Sequence, residues 1–485
     1  MKWSDVVFLA PEIVIALGAI WLLLAPFVFR RPNVSAAKWQ TLLILAATAA
    51  TVFWAAGAHP EPATEMLAAM FVTDGFATFF KLLLIAATAL VVLLSEDFLR
   101  GGGYSAWEYF SLLGFALCGT MFMVSGVHLI SIWIGLELLS LSSYILAGYY
   151  KEQQASTEAA MKYFILGSVS SAILLYGVSL IFGVTGALGL DAIATSIRGI
   201  ADNEALLFGM ILLAAGLCFK VAAVPFHVWT PDVYVGAPTP ITAFLSTVSK
   251  GAAFAIFARI FYMALAEFTL DWGMVLATVA ALSMIVGNLA AVTQDNVKRM
   301  LAWSSIGHAG YAMLGILAMS ELGLSAILIY MLVYTFATLG IWGLILMLRD
   351  REYAGESIAD FAGLSTRAPF WAFAMVVFLL SLGGIPPTAG FIGKYYLFLA
   401  AIGAGWGWLA ILAVLMSAVS MFYYLRLVVA MYLREDAGAA IAGGGSLKFV
   451  VAACLLITLA LGVAPQPMLR QVGESLRGAV TIAMK

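Results

Sequence analysis

Apolar runs of about 20 residues follow one another along almost the whole chain, and this repetition limits the fold more than any single motif does. That length is what an α-helix needs to cross the hydrocarbon core of a bilayer, and roughly fourteen runs meet it. They fall near 6–29, 39–57, 76–95, 107–125, 128–149, 160–184, 205–231, 239–263, 272–294, 300–319, 322–348, 369–401, 405–433 and 448–465. Charged residues are 10% of the 485, and hydrophobic residues 64%. A soluble domain carries about 25% charged residues, so the solvent for most of this surface must be lipid. Within lipid each segment must satisfy its own backbone polar groups. The expected fold is therefore all-α, a polytopic membrane protein.

Loop lysines and arginines set the expected orientation. Alternate loops hold twelve of them on one side and five on the other, where Glu61, Glu65, Asp191 and Asp202 add acidity. Both termini are thus expected on the non-cytoplasmic side of a bacterial cytoplasmic (inner) membrane or an equivalent energy-transducing membrane. The opening MKWSDVV lacks a strongly basic stretch, so 6–29 reads as a retained helix and not a signal peptide. A net charge of -2 gives no sign of a nucleic-acid partner. Cys118, Cys218 and Cys454 stand apart in apolar runs, without the spacing of a metal or iron–sulfur site.

Four ionisable residues cannot be assigned to loops. Glu137 is central in SIWIGLELLSLSSYIL, Lys220 in CFKVAAVPFHVW and Lys250 in ITAFLSTVSKGAAFAIFARIF, and Lys394 follows the double proline in GGIPPTAGFIGKYYLF. A charge at mid-bilayer costs about 2.5–3.5 kcal/mol on insertion scales, and such groups usually mark proton or ion paths. Lys220 and Lys250 lie on the order of 15 Å from either interface at about 1.5 Å per residue, too deep for snorkelling to explain. A lysine that alternates between having Glu137 near and far changes its hold on a proton, which suits proton translocation. Lys81 and Lys162 lie closer to span ends, where snorkelling or local pairing is as good an account as function. Arg426 reads as an anchor at a span end.

Pro225 breaks the seventh span, and Pro386-Pro387 breaks the twelfth, read as one interrupted helix. Discontinuous helices at mid-membrane free backbone groups that bind ions or order water. WTPDVY, after Pro225, is expected to leave the span on the cytoplasmic side. His227 and His308 are candidate relays, since imidazole titrates near neutral pH, although each alone is also an ordinary packing residue. The expected organisation is three N-terminal spans (1–105), a first five-helix repeat of spans 4–8 (106–265), an inverted second repeat of spans 9–13 (266–434), and a last span with its tail (435–485). Internal sequence identity lends the repeat little support. No glycine-rich nucleotide fingerprint or defensible haem-ligand pair is present, so no cofactor is expected in this chain.

The segments GLELLSLSSYIL, KYFILGSVSSAILLYG, FKVAAVPFHVWTPDVYVGAPTPITAFLSTVSK, DNVKRMLAWSSIGHAGY and GGIPPTAGFIGKYYLF resemble the antiporter-like membrane subunits of respiratory complex I, the proton-pumping NADH:quinone oxidoreductase. The resemblance runs from about residue 105 to 430, and the PDVYVGAP and GIPPTAGFIGKYY forms are most similar to the subunit N branch. It implies that Glu137, Lys220, Lys250 and Lys394 lie on a hydrated central axis across which protons pass. Lys162, His227 and His308 also match family positions. It further implies other membrane-arm subunits as partners, including neighbouring antiporter-like ones. NADH, FMN, iron–sulfur clusters and quinone would belong to partner subunits. The alternative is a subunit of a stand-alone multi-subunit cation/proton antiporter or of a membrane-bound hydrogenase, which share the breaks and lysines; the motif forms argue against it. A passive scaffold is disfavoured, because replacing its mid-membrane charges by apolar residues would stabilise it. A small-solute transporter fits worst, for want of a polar pocket.

Overall fold

The computed structural model describes residues 7–28, 33–58, 65–102, 104–198, 203–348, 356–435 and 443–477. Helices dominate them, and no strands occur among them beyond isolated bridges such as Asn296 with Ser357. The long helices are α1 (Ala10–Val28), α2 (Val34–Ala58), α3 (Gly75–Gly102), α4 (Ala106–Ser125), α5 (Leu129–Ala147) and α6 (Gln154–Thr185). Next come α7 (Glu204–Val221), a short α8 (Trp229–Gly236), α9 (Thr239–Phe244), α10 (Lys250–Met263), α11 (Thr269–Val292) and α12 (Val297–Leu317). The remainder are α13 (Glu321–Met347), α14 (Pro369–Gly383), α15 (Ala389–Gly403), α16 (Gly407–Leu433), α17 (Gly445–Val463) and α18 (Gln466–Leu476).

Among the described residues twelve helices are long and apolar enough to cross a membrane, with α14 and α15 as shorter apolar ones. A count of fourteen therefore needs α12 and the α14–α15 pair as the two further spans. α12 has the length, 21 residues, but its composition is diluted by Lys298, Arg299, Ser304, Ser305 and His308. Burial sorts the helices into layers. The stretch from Thr239 to Met263 is wholly buried, whereas only about a third of the most apolar window is buried in α16 and in α17. Helices of the second kind turn apolar side chains such as Leu415, Phe422 and Leu456 outward, as lipid demands.

Three discontinuities interrupt this bundle. α7 ends where Ala222 takes a left-handed conformation (φ 62°), three residues before Pro225. Ala222 and Ala223 then donate to the carbonyls of Phe219 and Cys218, and the Val224 N–H is met by Ser283 Oγ at 2.9 Å. Beyond the break WTPDVYVG folds into α8, with its Trp229 and Tyr234 buried. Pro231 is tolerated there because the first turn of a helix needs no N–H from it. α14 closes on Gly384 (φ 83°), whose N–H and that of Ile385 both reach the Leu380 carbonyl. α15 then starts so close to α14 that a Cβ on Gly390 would lie 1.6 Å from the Ser381 carbonyl oxygen. The third discontinuity has no proline and was not expected: Leu245–Ser249 forms a π-turn immediately before Lys250. Such turns are frequent at functional sites.

Candidate functional site

Lys220 occupies the last turn of α7 and is buried. Its ammonium donates to Ser140 Oγ at 2.7 Å. Ser140 commits its own proton to the Leu136 carbonyl at 2.5 Å, so its oxygen faces the lysine as an acceptor. Glu137 lies one turn earlier on α5. Its carboxylate accepts from Ser171 of α6, a hydroxyl that also accepts from Trp133 Nε1 at 3.2 Å. Glu137 and the Ser140 that holds Lys220 thus lie one turn apart on α5, and Glu137 and Lys220 are each held by a serine and not by the other.

Lys250 follows the π-turn and is buried in the wholly enclosed stretch. It donates to the carbonyl and hydroxyl oxygens of Ser305 on α12 at 2.7 and 2.5 Å. Tyr334 donates to the same hydroxyl at 3.0 Å. One turn along α12, His308 is bonded at both ring nitrogens, Nδ1 to Tyr330 Oη at 2.6 Å and Nε2 to Tyr424 Oη at 3.1 Å. Ser304 joins Tyr424 at 2.5 Å. Another turn on, Tyr311 presents its ring to Lys394, whose Nζ stands 4.6 Å from the ring centroid.

Lys394 spans the break of the twelfth segment. Its ammonium donates to the Gly383 carbonyl at 3.0 Å and to Ser417 Oγ at 2.8 Å. The Gly383 carbonyl belongs to the C-terminal end of α14, where unsatisfied carbonyls and the helix dipole favour a cation. The break therefore provides a ligand for the lysine as well as a turn.

The structure brings Lys250, His308 and Lys394 together along α12 and sets Lys220 beside Glu137. Other expected residues lie elsewhere. Lys162 is part of a half-exposed ion-pair cluster, 2.7 Å from both Glu158 and Asp232, and Asp232 in turn accepts from Arg299 at 2.6 Å. That cluster ties α6, α8 and α12, so local pairing accounts for Lys162. His227 sits in the turn between α7 and α8, half-buried and tilted against Trp303 at 5.4 Å, with no hydrogen-bond partner at Nδ1. It does not join the hydrogen-bonded chain. Pro225, Pro386 and Pro387 are exposed on the outer faces of their turns. The three cysteines are free and buried apart. Ser140, Ser305, Ser417, Tyr330 and Tyr424 were not singled out by the sequence, because serine and tyrosine in apolar helices carry no local signal of what they will face.

An all-α bundle whose broken helices surround buried lysines defines the antiporter-like class of membrane proteins. The family profile for the transmembrane part of NADH:quinone oxidoreductase and Mrp antiporters matches residues 126–420. The chain is 44% identical over 426 residues to NADH-quinone oxidoreductase subunit N 2 of Rhizobium meliloti (strain 1021), covering 88% of each. It is 40% identical over 483 residues to the protein of the same description from Solibacter usitatus (strain Ellin6076), covering 98% of each. A chain of respiratory complex I from Thermus thermophilus, solved with bound Aureothin, superposes with a TM-score of 0.81 at 34% identity, over 95% of this chain and 98% of that one. A chain of the Mrp complex from Dietzia sp. DQ12-45-1b shares the fold, with a TM-score of 0.82 at 21% identity. The chain belongs to the NADH-quinone oxidoreductase subunit N family, within the wider family of complex I and Mrp antiporter membrane subunits.

Proposed function

We propose that the chain is a proton-translocating membrane subunit of a bacterial NADH:quinone oxidoreductase. The observation that carries this reading is the way three buried lysines are held. Lys220, Lys250 and Lys394 each bond to neutral oxygens of serines or backbone carbonyls and none to a carboxylate. A neutral acceptor leaves the charge of each lysine free to change, whereas a buried ion pair would penalise loss of either partner. His308, bonded at both nitrogens, can accept a proton on one and release it from the other. α12 carries Ser305, His308 and Tyr311 on successive turns, so it sets the groups around Lys250, His308 and Lys394 in line, and Glu137 acts on the separate Lys220 site.

Redox chemistry belongs to partner subunits, and this chain moves protons. NADH, FMN, iron–sulfur clusters and quinone lie with those partners. Neighbouring antiporter-like subunits of the membrane arm flank it in the inner membrane, with both termini on the non-cytoplasmic side. Spans 4–8 and 9–13 form two inverted units, each with a broken helix. Moving one charge against 100 mV requires about 2.3 kcal/mol, so the energy must come from the redox partners. The test is to purify the complex carrying Lys220→Ala or Glu137→Ala, reconstitute it in liposomes, and measure quinone-linked turnover with proton uptake. Both are expected to fall together while the complex still assembles. A normal proton-to-electron ratio in both variants would refute the carrier role.

A further inference from the structure

Beside Glu137 and Lys220 stands a hydroxyl that the packing does not use. Tyr144 of α5 is only 5% exposed, and its Oη is buried with no hydrogen-bond partner. A buried polar atom left unpaired is costly, and in a native protein it calls for an explanation. Glu137, Ser140 and Tyr144 recur at helical spacing on α5, so they share one face. A long side chain on a helix leans towards the helix N-terminus, which carries the Tyr144 phenol back over Ser140 in the direction of Glu137. Both groups act on it, Ser140 through its hydroxyl and Glu137 through its charge.

The ring itself is firmly seated. Tyr163 and Phe164 of α6 meet it edge-on, at 4.7 and 5.7 Å between centroids. Its oxygen lies against Gly167 of the same helix, where a Cβ would come within 2.0 Å of Oη. Ser171, the donor that holds Glu137 Oε1, is one turn along α6 from that glycine. On the Lys220 side, Nζ stands 5.9 Å from the Tyr144 ring centroid and is bonded to Ser140. α6 thus leaves out a side chain at the place where the phenol oxygen needs room, between the serine that holds the lysine and the serine that holds the carboxylate. A phenylalanine would supply the same ring contacts without the unpaired oxygen.

We propose that the Tyr144 hydroxyl is a proton relay that joins Lys220 to Glu137 by way of Ser140. The inference rests on the proton-translocating reading above and supplies the step by which its two separately held groups exchange a proton. The Ser140 hydroxyl first turns from the Leu136 carbonyl towards Tyr144. An N–H bond of Lys220 then breaks as a new O–H forms on Ser140, the former Ser140 proton bonds to Tyr144 Oη, and the phenol's own proton bonds to Glu137 Oε2, the oxygen that Ser171 does not hold. The lysine ends neutral and the carboxyl protonated, while both hydroxyls keep one proton each. A phenol suits the place because it donates and accepts at one oxygen.

The experiment uses the whole complex in liposomes, carrying Tyr144→Phe, with Lys220→Ala as control. Tyr144→Phe keeps the ring and removes only the oxygen. Because that oxygen has no partner, its loss is expected to leave assembly intact and the thermal midpoint at or slightly above wild type. Proton uptake linked to quinone turnover is expected to fall by at least about tenfold, since a positioned acid–base group contributes about a hundredfold or more to its own step and this transfer is one of several. The combination is the signature of a relay, because a packing residue moves stability first. Wild-type uptake in Tyr144→Phe overturns the proposal. A lowered thermal midpoint or a failure to assemble overturns it as well, since the hydroxyl then serves the packing. Should Lys220→Ala itself pump normally, the translocating reading fails; should it lose pumping while Tyr144→Phe keeps it, only the relay fails.

Discussion

Replacing Ser140 with alanine removes the acceptor of the Lys220 ammonium and leaves the lysine itself untouched. The hydroxyl is 2.7 Å from Nζ and cannot turn away, because its own proton is bound to the Leu136 carbonyl. A hydrogen bond to a charged group is worth about 1.5–3 kcal/mol. The rings of Phe219 and Tyr144, 5.7 and 5.9 Å from Nζ, are too far to make up that loss. The charged ammonium makes this bond far more strongly than the neutral amine does, so most of the amount falls on one protonation state. At about 1.36 kcal/mol per tenfold, the binding constant of Lys220 for its proton drops by up to roughly ten- to a hundredfold. Purified complex in liposomes, followed with a pH-sensitive dye alongside quinone-linked turnover, is expected to slow in both readouts, with Ser140→Thr close to wild type. If Ser140→Ala pumps at the wild-type rate while Lys220→Ala does not, the serine is packing and the reasoning from neutral ligands is wrong.

Two further outcomes follow from contacts elsewhere in the bundle. Gly390→Ala drives a Cβ into the Ser381 backbone, 1.6 Å away, whereas Gly403→Ala meets nothing within 4 Å. The first is expected to lower the thermal midpoint of the purified complex by an overpacking cost of about 1–3 kcal/mol or more, and the second to leave it unchanged. Asp74→Asn strands the Arg259 guanidinium and is expected to cost about 3–5 kcal/mol. Because the carboxyl sits below 3.8 in the folded protein, its stabilisation is full above that value and is lost as pH falls through the lower folded one. The gap between wild-type and Asp74→Asn melting temperatures should hold steady from neutral pH down to about 5 and close only in stronger acid.

The mid-membrane charges were legible in the sequence because lipid makes a charge in an apolar run costly, so Glu137, Lys220, Lys250 and Lys394 stand out without any structure. The breaks were legible because proline and paired glycines interrupt the helical ladder. Other features left no local trace. The π-turn over Leu245–Ser249 has no residue that requires it. The helix of WTPDVY is not announced locally either, since its proline is compatible with helix only because it falls in the first turn of α8. The partner of Lys81 is 69 residues away on another helix, so a buried pair could not be told from a snorkelling lysine. The role of Ser140 depends on where its proton goes, which only the packed structure fixes.

Saturation of the acceptors separates the buried carboxylates by task. Glu96 receives Arg100 on one oxygen and Lys38 and Ser446 on the other, at 2.7, 2.7 and 2.6 Å. These donors come from α2, α3 and the start of α17, so the carboxylate joins the N-terminal helices to the C-terminal one. Asp74 is equally full and ties α3 to α10. A carboxylate with donors on both oxygens and a cation beside it is best kept charged, and it serves as a fixed joint. Glu12 is likewise paired with a cation, Lys81 at 2.6 Å, whereas Glu137 is held by a serine donor. The same distinction applies to the cations. Lys38 and Arg259 face carboxylates, whereas Lys220, Lys250 and Lys394 face hydroxyls and carbonyls. α12 supports the second kind of site because Ser304, Ser305, His308 and Tyr311 recur at helical spacing on it. Those polar residues dilute it below the apolarity of its neighbours, and burial of all of the helix but Arg299 and Trp303 is what allows lipid to surround the protein without meeting Ser304, Ser305, His308 and Tyr311.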